Sequence, residues 1–262
     1  MEQSIVRVAA TGEVANDVCS LMQQLGGIER FVHRGDRVLI KPSCNSPYPF
    51  PATTDLQVIR AMVELVRVMT DDVTVGESSG FMHKPTAVAF EGTGLKRLAQ
   101  EMEFPLVDFD EHEWTARSDA RAASLTEVRI TSLLEQFERV IVLPTMRTHA
   151  WARITMALKV GMGFIPVQDR KHMHRTALEP MIGELNLYYH PDLIILDGRR
   201  CFITGGPDSG EERAPGLLLG GTGRVAIDTE AVEILQQHGA AQLDMPAADV
   251  PMIRTARELG LP

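Results

Sequence analysis

The amino-acid sequence predicts a single large α/β domain in which a mostly parallel sheet carries helices on both faces. Short apolar and β-branched runs alternate along the chain with longer segments whose apolar residues recur at helical spacing. The strand-like runs are apolar throughout, which is typical of strands buried between two helical layers. The 262 residues suffice for one such domain, and a two-lobed variant would break near residues 110–126.

The strands are predicted from short apolar runs that end at turn-forming or polar residues. Arg37–Lys41, for example, stops at a proline-rich loop that begins with Pro42. The polar segment Asp110–Leu125 is expected to be irregular, and the glycine-rich stretch Cys201–Gly223 is expected to be loop. In chain order, the predicted strands are Ile5–Ala9, Arg37–Lys41, Asp72–Gly76, Pro105–Phe109, Val140–Leu143 and Leu193–Leu196.

The helices are predicted from apolar residues that recur three and four positions apart. The clearest helix begins at an N-cap residue, Thr54 or Asp55, and continues to about Met69. A second one starts at Pro85, because proline is tolerated in the first turn of a helix. The predicted helices are Glu13–Phe31, Asp55–Met69, Pro85–Glu101, Trp151–Gly161, Leu178–Tyr189, Asp228–His238 and Asp249–Leu259.

Charge is distributed unevenly along the chain. The net charge of −9 disfavours nucleic acid as a partner. The stretch Thr145–Arg175 nevertheless holds six basic residues, one acidic residue and three of the eight histidines. A cationic patch on an acidic protein predicts a small anionic ligand, a carboxylate or a phosphate. If the protein is an enzyme, its active residues are expected in this stretch.

Cysteine spacing, hydropathy and the N-terminus bear on cofactors and location. Cys19, Cys44 and Cys201 show no C-x-x-C spacing, which argues against an intrinsic iron–sulfur cluster and a disulfide framework. No apolar run reaches the roughly 18 residues of a membrane helix. Met1–Gln3 lacks the basic start of a signal peptide. We therefore expect a cytoplasmic protein without a membrane partner, and assembly into homo-oligomers stays open.

Polar residues follow several of the predicted strands. They are Lys41, Glu77, the segment Pro144–His149 and Asp197. Because ligands bind at the carboxyl ends of the strands in an open parallel sheet, these residues are expected at one edge. Lys41 and Asp197 would contact the substrate, and Glu77 would take part in catalysis or line the site.

His149 and Lys159 are the leading candidates for catalysis. Placed on the predicted helix that starts at Trp151, Lys159 would lie about 80° round from His149, so the two could flank one opening. A histidine titrates near neutrality and suits acid–base chemistry. Lys159 and Arg153 could neutralise the charge of an anionic ligand.

His172 and His174 lie two positions apart in a segment that is expected to be loop. Two histidines in a loop can both bind a divalent metal, with His149 or Glu77 completing the ligand set. The surrounding cationic residues oppose a metal ion, so a metal centre remains the alternative to an anion site. No other cofactor is indicated by the residues.

The segment Val75–Gly80 contains G-E-S-S-G, a literal nucleophile-elbow pattern with Ser78 in the nucleophile position. The elbow needs a helix directly after the serine, but Pro85 delays the helix here. Hydrogen bonds from Ser78 and Ser79 to an anion at the strand end are therefore favoured over serine hydrolysis.

Two glycine-rich segments, Gly205–Gly210 and Gly220–Gly223, would let a loop approach a ligand closely. Neither is predicted to join a strand to a helix as an NAD-binding fingerprint does. The chain also lacks the G-x-x-x-x-G-K-[ST] phosphate loop, so no nucleotide cofactor is indicated.

Taken together, these motifs resemble the domain of unknown function 362 family. The resemblance runs from about Val38 to Leu235 and keeps the family's motif order. Its carriers are V-L-I-K-P at Val38–Pro42, T-T-D at Thr53–Asp55, V-T-V-G-E-S-S-G at Val73–Gly80, L-P-x-x-x-T-H at Leu143–His149, A-L-K-x-x-M-G at Ala157–Gly163, His174, D-G at Asp197–Gly198, G-G-P-x-x-G at Gly205–Gly210, and Asp228.

The chain departs from the family pattern at three places. Where the family has K-L-K-T-H, this chain keeps one positive charge as Arg147, which is assigned to substrate binding. Val160 replaces the family's usual asparagine after the lysine. The cysteine cluster that ends many relatives is missing, which excludes electron transfer through a cluster of that kind.

The order of the K-P loop, His149 and Lys159 also resembles the N-terminal domain of the nickel-pincer lactate racemases. That resemblance implies that the lysine carries the cofactor and that the histidines bind nickel and transfer protons. Lys159, His149 and His174 would be the corresponding residues. The racemases' second domain has no counterpart in this chain, so the cofactor is not assumed.

The leading hypothesis is an enzyme that acts on a small anionic metabolite by acid–base chemistry of His149 and Lys159. Its reaction stays open between proton transfer, a lyase reaction and a redox step with an external partner. The alternatives are a non-catalytic metal- or ligand-binding protein that uses the histidines, and a serine hydrolase that uses Ser78.

Overall fold

The continuous apolar runs of the sequence form one large mixed sheet. The computed structural model describes residues 5–262, and the segment Met1–Gln3, on which the signal-peptide prediction rests, lies outside them. Within the described residues, the strands are β1 Val6–Ala9, β2 Val38–Pro42, β3 Val73–Glu77, β4 Leu106–Asp108, β5 Trp114–Ser118, β6 Glu127–Thr131, β7 Arg139–Leu143, β8 Thr145–His149, β9 Arg153–Ile154, β10 Leu193–Phe202, β11 Glu212–Arg213 and β12 Leu217–Gly221.

The strand order of the main sheet is β1-β12-β10-β7-β2-β3-β4. The strands β10, β7, β2, β3 and β4 run parallel to their neighbours, whereas β12 is antiparallel to both β1 and β10. Strand β8 follows β7 along the chain, pairs with β10 in the parallel direction, and pairs with β9 in the antiparallel direction. All six predicted strands lie in this sheet, which confirms the mostly parallel α/β fold.

The helices cover both faces of the sheet. They are α1 Val14–Gln24, α2 Leu56–Arg67, α3 Thr86–Thr93, α4 Leu95–Met102, α5 Val167–Arg175, α6 Leu178–Leu185, α7 Arg224–Gln237 and α8 Pro251–Glu258. Successive residues of the central strands point to opposite faces. Ile40 and Ile141 pack in a buried cluster with apolar residues of α1–α4. Leu39 and Val142 pack in the other cluster, with α5–α8. This two-sided burial explains why the strands are apolar throughout.

Helix α2 begins at the predicted N-cap. The Asp55 carboxylate accepts a hydrogen bond from the Gln57 N–H at 2.9 Å. The predicted helix Pro85–Glu101, in contrast, is two helices, α3 and α4. They are separated at Gly94, whose φ of 82° lies in the left-handed region that glycine adopts readily.

The predicted helix Trp151–Gly161 is wrong. The segment forms the short strand β9, then a loop, then a 3₁₀ turn at Val160–Phe164. Its apolar residues Ile154, Leu158 and Met162 are buried in the core without helical geometry, whereas Trp151 is exposed. Arg153 has a φ of 55° that a helix excludes. The N–H groups of Ala157 and Leu158 are bound by the distant Asp228 carboxylate.

The loop prediction for Cys201–Gly223 is also wrong in part, because β12 lies inside this stretch and β10 extends to Phe202. Its glycines suggested a loop, but Gly220 serves close packing instead. A Cβ at this position would lie 2.9 Å from the Leu25 side chain of the neighbouring helical layer. The glycine therefore lets α1 approach the sheet.

The expectation that Asp110–Leu125 is irregular is wrong in part, because strand β5 lies inside this segment and forms a hairpin with β6. The inner face of the hairpin packs on the α5–α8 cluster through Val128 and Ile130. The loop after β5 is held by Glu184 on α6, whose carboxylate accepts hydrogen bonds from the N–H groups of Ala123, Ser124 and Leu125 at 2.7–3.2 Å. A buried carboxylate thus holds the loop after β5, which has no regular secondary structure.

Among residues 5–262, none of the helices combines the length and the apolar character needed to cross a membrane.

We predict that Glu184→Gln lowers the free energy of unfolding by about 1–3 kcal/mol, because the new amide NH₂ would oppose buried backbone N–H donors. Urea unfolding measures this change. The matched control is Glu233→Gln on the exposed face of α7, with an expected change within about 0.5 kcal/mol. An unchanged midpoint for Glu184→Gln would show that the carboxylate does not hold the loop.

Candidate active site

A cavity of about 530 Å³ lies at the carboxyl ends of β2, β3 and β8. Its size is typical of small-molecule sites. The cavity brings together six of the residues predicted from sequence, and these are Lys41, Glu77, Ser78, His149, Lys159 and His174. The residues Ser79, Arg147, Arg153, His172 and Asp197, also predicted, do not line it.

A buried ion pair forms the floor of the cavity. The Lys41 Nζ lies 2.9 Å from the Glu77 carboxylate, and both side chains are almost fully buried. The Glu77 oxygens also accept hydrogen bonds from the N–H groups of Cys44 at 3.0 Å and Ser78 at 2.8 Å. Burial lowers the pKa of Lys41, and the Glu77 charge opposes that shift. The Lys41 charge is therefore already paired with Glu77, so it is not free to neutralise a substrate.

Two glycines let the segment after Lys159 reach this floor. A Cβ at Gly163 would lie 2.2 Å from the Glu77 Oε1, and a Cβ at Gly161 would lie 2.3 Å from the Tyr189 ring. No side chain fits at either position without displacing the ion pair or the ring. The cavity wall therefore requires glycine at both ends of the G-M-G segment.

The Ser78 hydroxyl is held in a network that contains no histidine. It donates to the Asp110 carboxylate at 2.9 Å and accepts from the Lys84 Nζ at 2.9 Å and from the Arg170 guanidinium. A 3₁₀ turn at Phe81–His83 follows, and α3 starts only at Thr86. This arrangement does not form a nucleophile elbow, because two cationic donors occupy the lone pairs of the Ser78 oxygen and no helix starts directly after the serine. The serine hydrolase hypothesis is therefore not supported.

Ser79 and Arg170 hold the same turn in place through hydrogen bonds. The Ser79 Oγ donates to the His83 carbonyl at 3.0 Å, and the Ser79 carbonyl accepts from Arg170 at 2.7 Å. Arg170 was not singled out from sequence. Its Nε also donates to the Ile165 carbonyl at 2.7 Å, so this buried guanidinium crosslinks α5 to the loop after β3.

Arg147 lies behind the cavity wall. Its guanidinium donates to the Ser43 Oγ at 2.8 Å, the Asn45 Oδ1 at 3.1 Å and the Pro207 carbonyl at 2.9 Å, three residues that line the cavity. Its Nε has no hydrogen-bond partner in the described part of the chain. Burial lowers the pKa of Arg147 to about 10, so the group keeps its charge at neutral pH. It places a fixed positive charge next to the cavity.

His149 is held as a neutral imidazole. Its Nδ1 accepts hydrogen bonds from the N–H groups of Trp151 at 3.0 Å and Ala152 at 3.1 Å. Burial lowers the pKa of His149, and the charges of Lys159 and Arg147 lower it further. Because Nδ1 accepts, the proton of the neutral ring is on Nε2. His149 is therefore suited to donate a hydrogen bond and not to accept a proton.

His174 has the opposite tautomer. Its Nδ1 lies 2.7 Å from the Arg170 carbonyl, to which it donates, so Nε2 carries the free lone pair. Burial lowers the pKa of His174, which keeps that lone pair available at neutral pH. The Phe81 ring packs edge-on against the imidazole at 5.2 Å between centroids. His174 can thus accept a proton or a hydrogen bond.

His172 does not join this pair, and the expectation of a loop around it is wrong. It lies on α5, where residues two apart point about 200° away from each other. His172 is exposed, whereas His174 lines the cavity.

The residues do not fit a metal-bound cofactor of the racemase kind. Within residues 5–262, no group of three or more histidines, cysteines or carboxylates is placed to hold a metal ion. Nε2 ligation by His149 would require a proton on Nδ1, which would then face two backbone N–H donors. We therefore derive no step through a metal.

Lys159 projects into the cavity from a loop that is anchored at two points. The Asp228 carboxylate accepts from the N–H groups of Ala157 at 2.8 Å and Leu158 at 2.9 Å. The Asn186 side chain donates to the Leu158 carbonyl at 2.9 Å. Burial raises the pKa of Asp228 to about 7. These anchors take the place of the helix predicted here and fix the backbone on which Lys159 stands.

The Lys159 amine has no hydrogen-bond partner among the described residues. Burial lowers the pKa of Lys159 to about 7, reinforced by the positive charges of Arg147 and Arg170 and opposed by Asp208. Asp208 itself pairs with the His83 Nε2 at 2.7 Å. A large fraction of the amine is thus uncharged at neutral pH, which is the state that takes up a proton or attacks a carbon.

Two predicted substrate-binding residues are occupied elsewhere. Arg153 forms an ion pair with Glu179 on α6. The Asp197 carboxylate accepts from Arg199, and Arg199 also contacts Asp55 at 2.7 Å. Both networks tie elements of the fold together outside the cavity.

Sequence reasoning missed Arg170, Asp208, His83 and Asp228 as parts or supports of the site. Asp228 was noted only as a motif of the resembled family, although its contacts position Lys159. The signal for Arg170 lay in the same basic stretch as His174, but its role depends on contacts with β3 that spacing cannot give.

Known proteins resemble this chain along most of its length. The family described as Domain of unknown function (DUF362) matches residues 38–233. The thylakoid-associated protein sll1697 of Synechocystis sp. is 30% identical over 259 residues, which are 95% of this chain and 76% of that protein.

Among solved structures, the lactate racemase apoprotein from Thermoanaerobacterium thermosaccharolyticum is similar, with 12% identity and a TM-score of 0.47. The similarity covers 74% of this chain and 50% of the racemase chain, so this chain spans half of its length. At this level of similarity, nothing about activity or cofactor follows for this chain. The family match over residues 38–233 does assign a family, because it spans most of the sequence and a relative aligns along nearly all of it. The chain therefore belongs to the domain of unknown function (DUF362) family.

Proposed function

We propose that this chain is an enzyme that binds a small carboxylate-bearing metabolite in the 530 Å³ cavity and transfers a proton on it. One observation carries the proposal. A single cavity holds an unpaired lysine amine, a histidine that presents an N–H and a histidine that presents a lone pair. This combination is suited to proton transfer at a carbon or oxygen next to a carboxylate.

The charges around the cavity favour an anion. Lys41 and Glu77 offset each other in the floor, and Asp208 is the further acidic residue in the lining. The cationic groups in or behind the wall are Arg147, Lys159, Arg170, Lys171 and Arg175. A cavity with this excess of positive charge concentrates small anions and orients their carboxylates.

Each of three side chains would have a separate role. The His149 Nε2–H would donate to a substrate oxygen on which negative charge develops. The His174 Nε2 and the Lys159 Nζ are the two groups able to take up a proton at neutral pH. The reaction class would be an isomerisation, a lyase step or another reaction that begins by removing a proton next to a carboxylate.

The proposal treats the chain as a cytoplasmic protein with a small-molecule partner. Its net charge of −9 supports the absence of a nucleic-acid partner. The thylakoid association in the name of the relative belongs to that protein.

We predict that the purified protein exchanges the carbon-bound hydrogen next to the carboxylate of at least one acid in a panel of small hydroxy and oxo acids in D₂O. Lys159→Met should slow this exchange by about 10²–10⁴-fold, the usual contribution of a positioned acid or base. Proton NMR measures the loss of signal. Lys96→Met on the exposed surface of α4, outside the cavity, should leave the rate unchanged. Equal rates in the Lys159→Met and wild-type proteins would contradict the proposal.

The same exchange should accelerate as the pH rises through about 7, since Lys159 loses its proton there and only the neutral amine can accept one. The rate should grow about tenfold from roughly one unit below that pKa to roughly one unit above it. Burial lowers the pKa of His174, so its titration falls below that of an ordinary histidine and farther from this rise. A pH-independent rate over this range would show that the Lys159 amine does not take part.

A further inference from the structure

We propose that Lys159 forms an imine with the carbonyl carbon of a small 2-oxo acid, and that 2-oxo acids are therefore the substrate class of the cavity. The inference rests on the proposed function, because it uses the same cavity and the same lysine. It goes further by giving Lys159 a covalent role and by assigning the proton transfer to His174.

The environments of the five lysines single out Lys159. Three of the other side-chain nitrogens are held by carboxylates, in the pairs Lys41–Glu77, Lys84–Asp110 and Lys96–Glu91. Lys171 is exposed to water and lies 6.0 Å from the centroid of the Phe81 ring. In the described part of the chain, Lys159 is the one lysine that is partly buried in the cavity wall and has no hydrogen-bond partner.

A shielded amine beside other cations is the arrangement that activates a lysine for attack on a carbonyl. The groups that face Lys159 come from β8, from α5 and from the loop after β10. They are Arg147, His149, Arg170, His174 and Asp208. Asp208 does not neutralise the amine, because its Oδ2 pairs with His83 and it lies beyond hydrogen-bond distance of Lys159. The cationic neighbours favour the uncharged amine and also attract the carboxylate of an oxo acid.

The two histidines match the needs of an oxo acid that reacts in this way. The Lys159 Nζ lone pair would attack the carbonyl carbon, and the carbonyl electron pair would move to the oxygen. The His149 Nε2–H would donate a hydrogen bond to that oxygen. After the nitrogen proton moves to the oxygen, the carbinolamine loses water and a C=N bond forms. The carbonyl compound and the amine thus yield the imine and one water, without an oxidant or a reductant.

The imine explains why a second basic group lies in the cavity. Once the Lys159 nitrogen is bonded to carbon, it can no longer take up a proton from the substrate. The His174 Nε2 is then the free base in the wall, and its lone pair is available because Nδ1 donates to the Arg170 carbonyl. A hydrogen on the carbon next to an imine is acidified by the C=N bond, so this base can remove it.

The test is reductive trapping. The full chain is incubated with pyruvate or glyoxylate and sodium cyanoborohydride, and intact-mass spectrometry with peptide mapping locates the adduct. We expect one reduced adduct per chain, on Lys159, and none with lactate, which has no ketone or aldehyde group. Lys159→Arg keeps the positive charge but cannot form the imine, so it should lose this adduct completely. Lys96→Met should be trapped like the wild type, and thermal unfolding confirms that both variants fold.

The outcomes separate this inference from the proposed function. Adducts spread evenly over Lys96, Lys159 and Lys171 would overturn the inference, because they would reflect general lysine reactivity. No adduct, together with hydrogen exchange in D₂O that depends on Lys159, would overturn the imine and leave the proposed proton-transfer enzyme in place. Neither an adduct nor exchange with any acid of the panel would overturn both.

Discussion

The buried ion pair between Lys41 and Glu77 is the constraint on which the candidate site depends. Taking two charges out of water is costly unless geometry and hydrogen bonds compensate, and here the Glu77 oxygens also accept from the Cys44 and Ser78 N–H groups. The pair thereby joins the ends of β2 and β3 to the loops that follow them. Gly163 packs against this pair, and any side chain at this position would displace it. The floor of the cavity is fixed by charge pairing, and the remaining groups are arranged around it.

The Lys159 amine is exceptional because the fold satisfies almost every other buried charge. Glu184 accepts three backbone N–H groups, Asp228 accepts two, and Arg170 donates to four carbonyls. A partly buried amine without a partner is unfavourable in its charged form, and its pKa falls as a result. The loop held by Asp228 fixes the backbone from which the Lys159 side chain enters the cavity. The contacts that stabilise the surrounding loop therefore keep an unpaired amine at this position.

The two histidines show how backbone contacts decide chemical roles. Both rings are neutral at neutral pH, because burial and nearby cations lower their pKa values. They differ in the backbone group that meets Nδ1, which is a pair of N–H donors for His149 and a carbonyl for His174. One ring therefore presents a donor and the other an acceptor. This division of roles differs from the expectation that His149 itself performs acid–base catalysis.

The sequence by itself determined the α/β class, the six strands of the parallel core and its edge, an N-cap at Thr54 or Asp55, and the basic stretch that contains His149, Lys159 and His174. These features follow from local periodicity and charge, which neighbouring residues encode. Only the tertiary structure decided that Trp151–Gly161 is not a helix, that β12 enters the sheet, and that Lys41 is paired while Lys159 is not. The physical reason is that each of these outcomes depends on contacts between distant segments, such as Asp228 with the Ala157 N–H or Gly220 with Leu25. Local spacing carries no information about which distant donor, acceptor or side chain will occupy a given position.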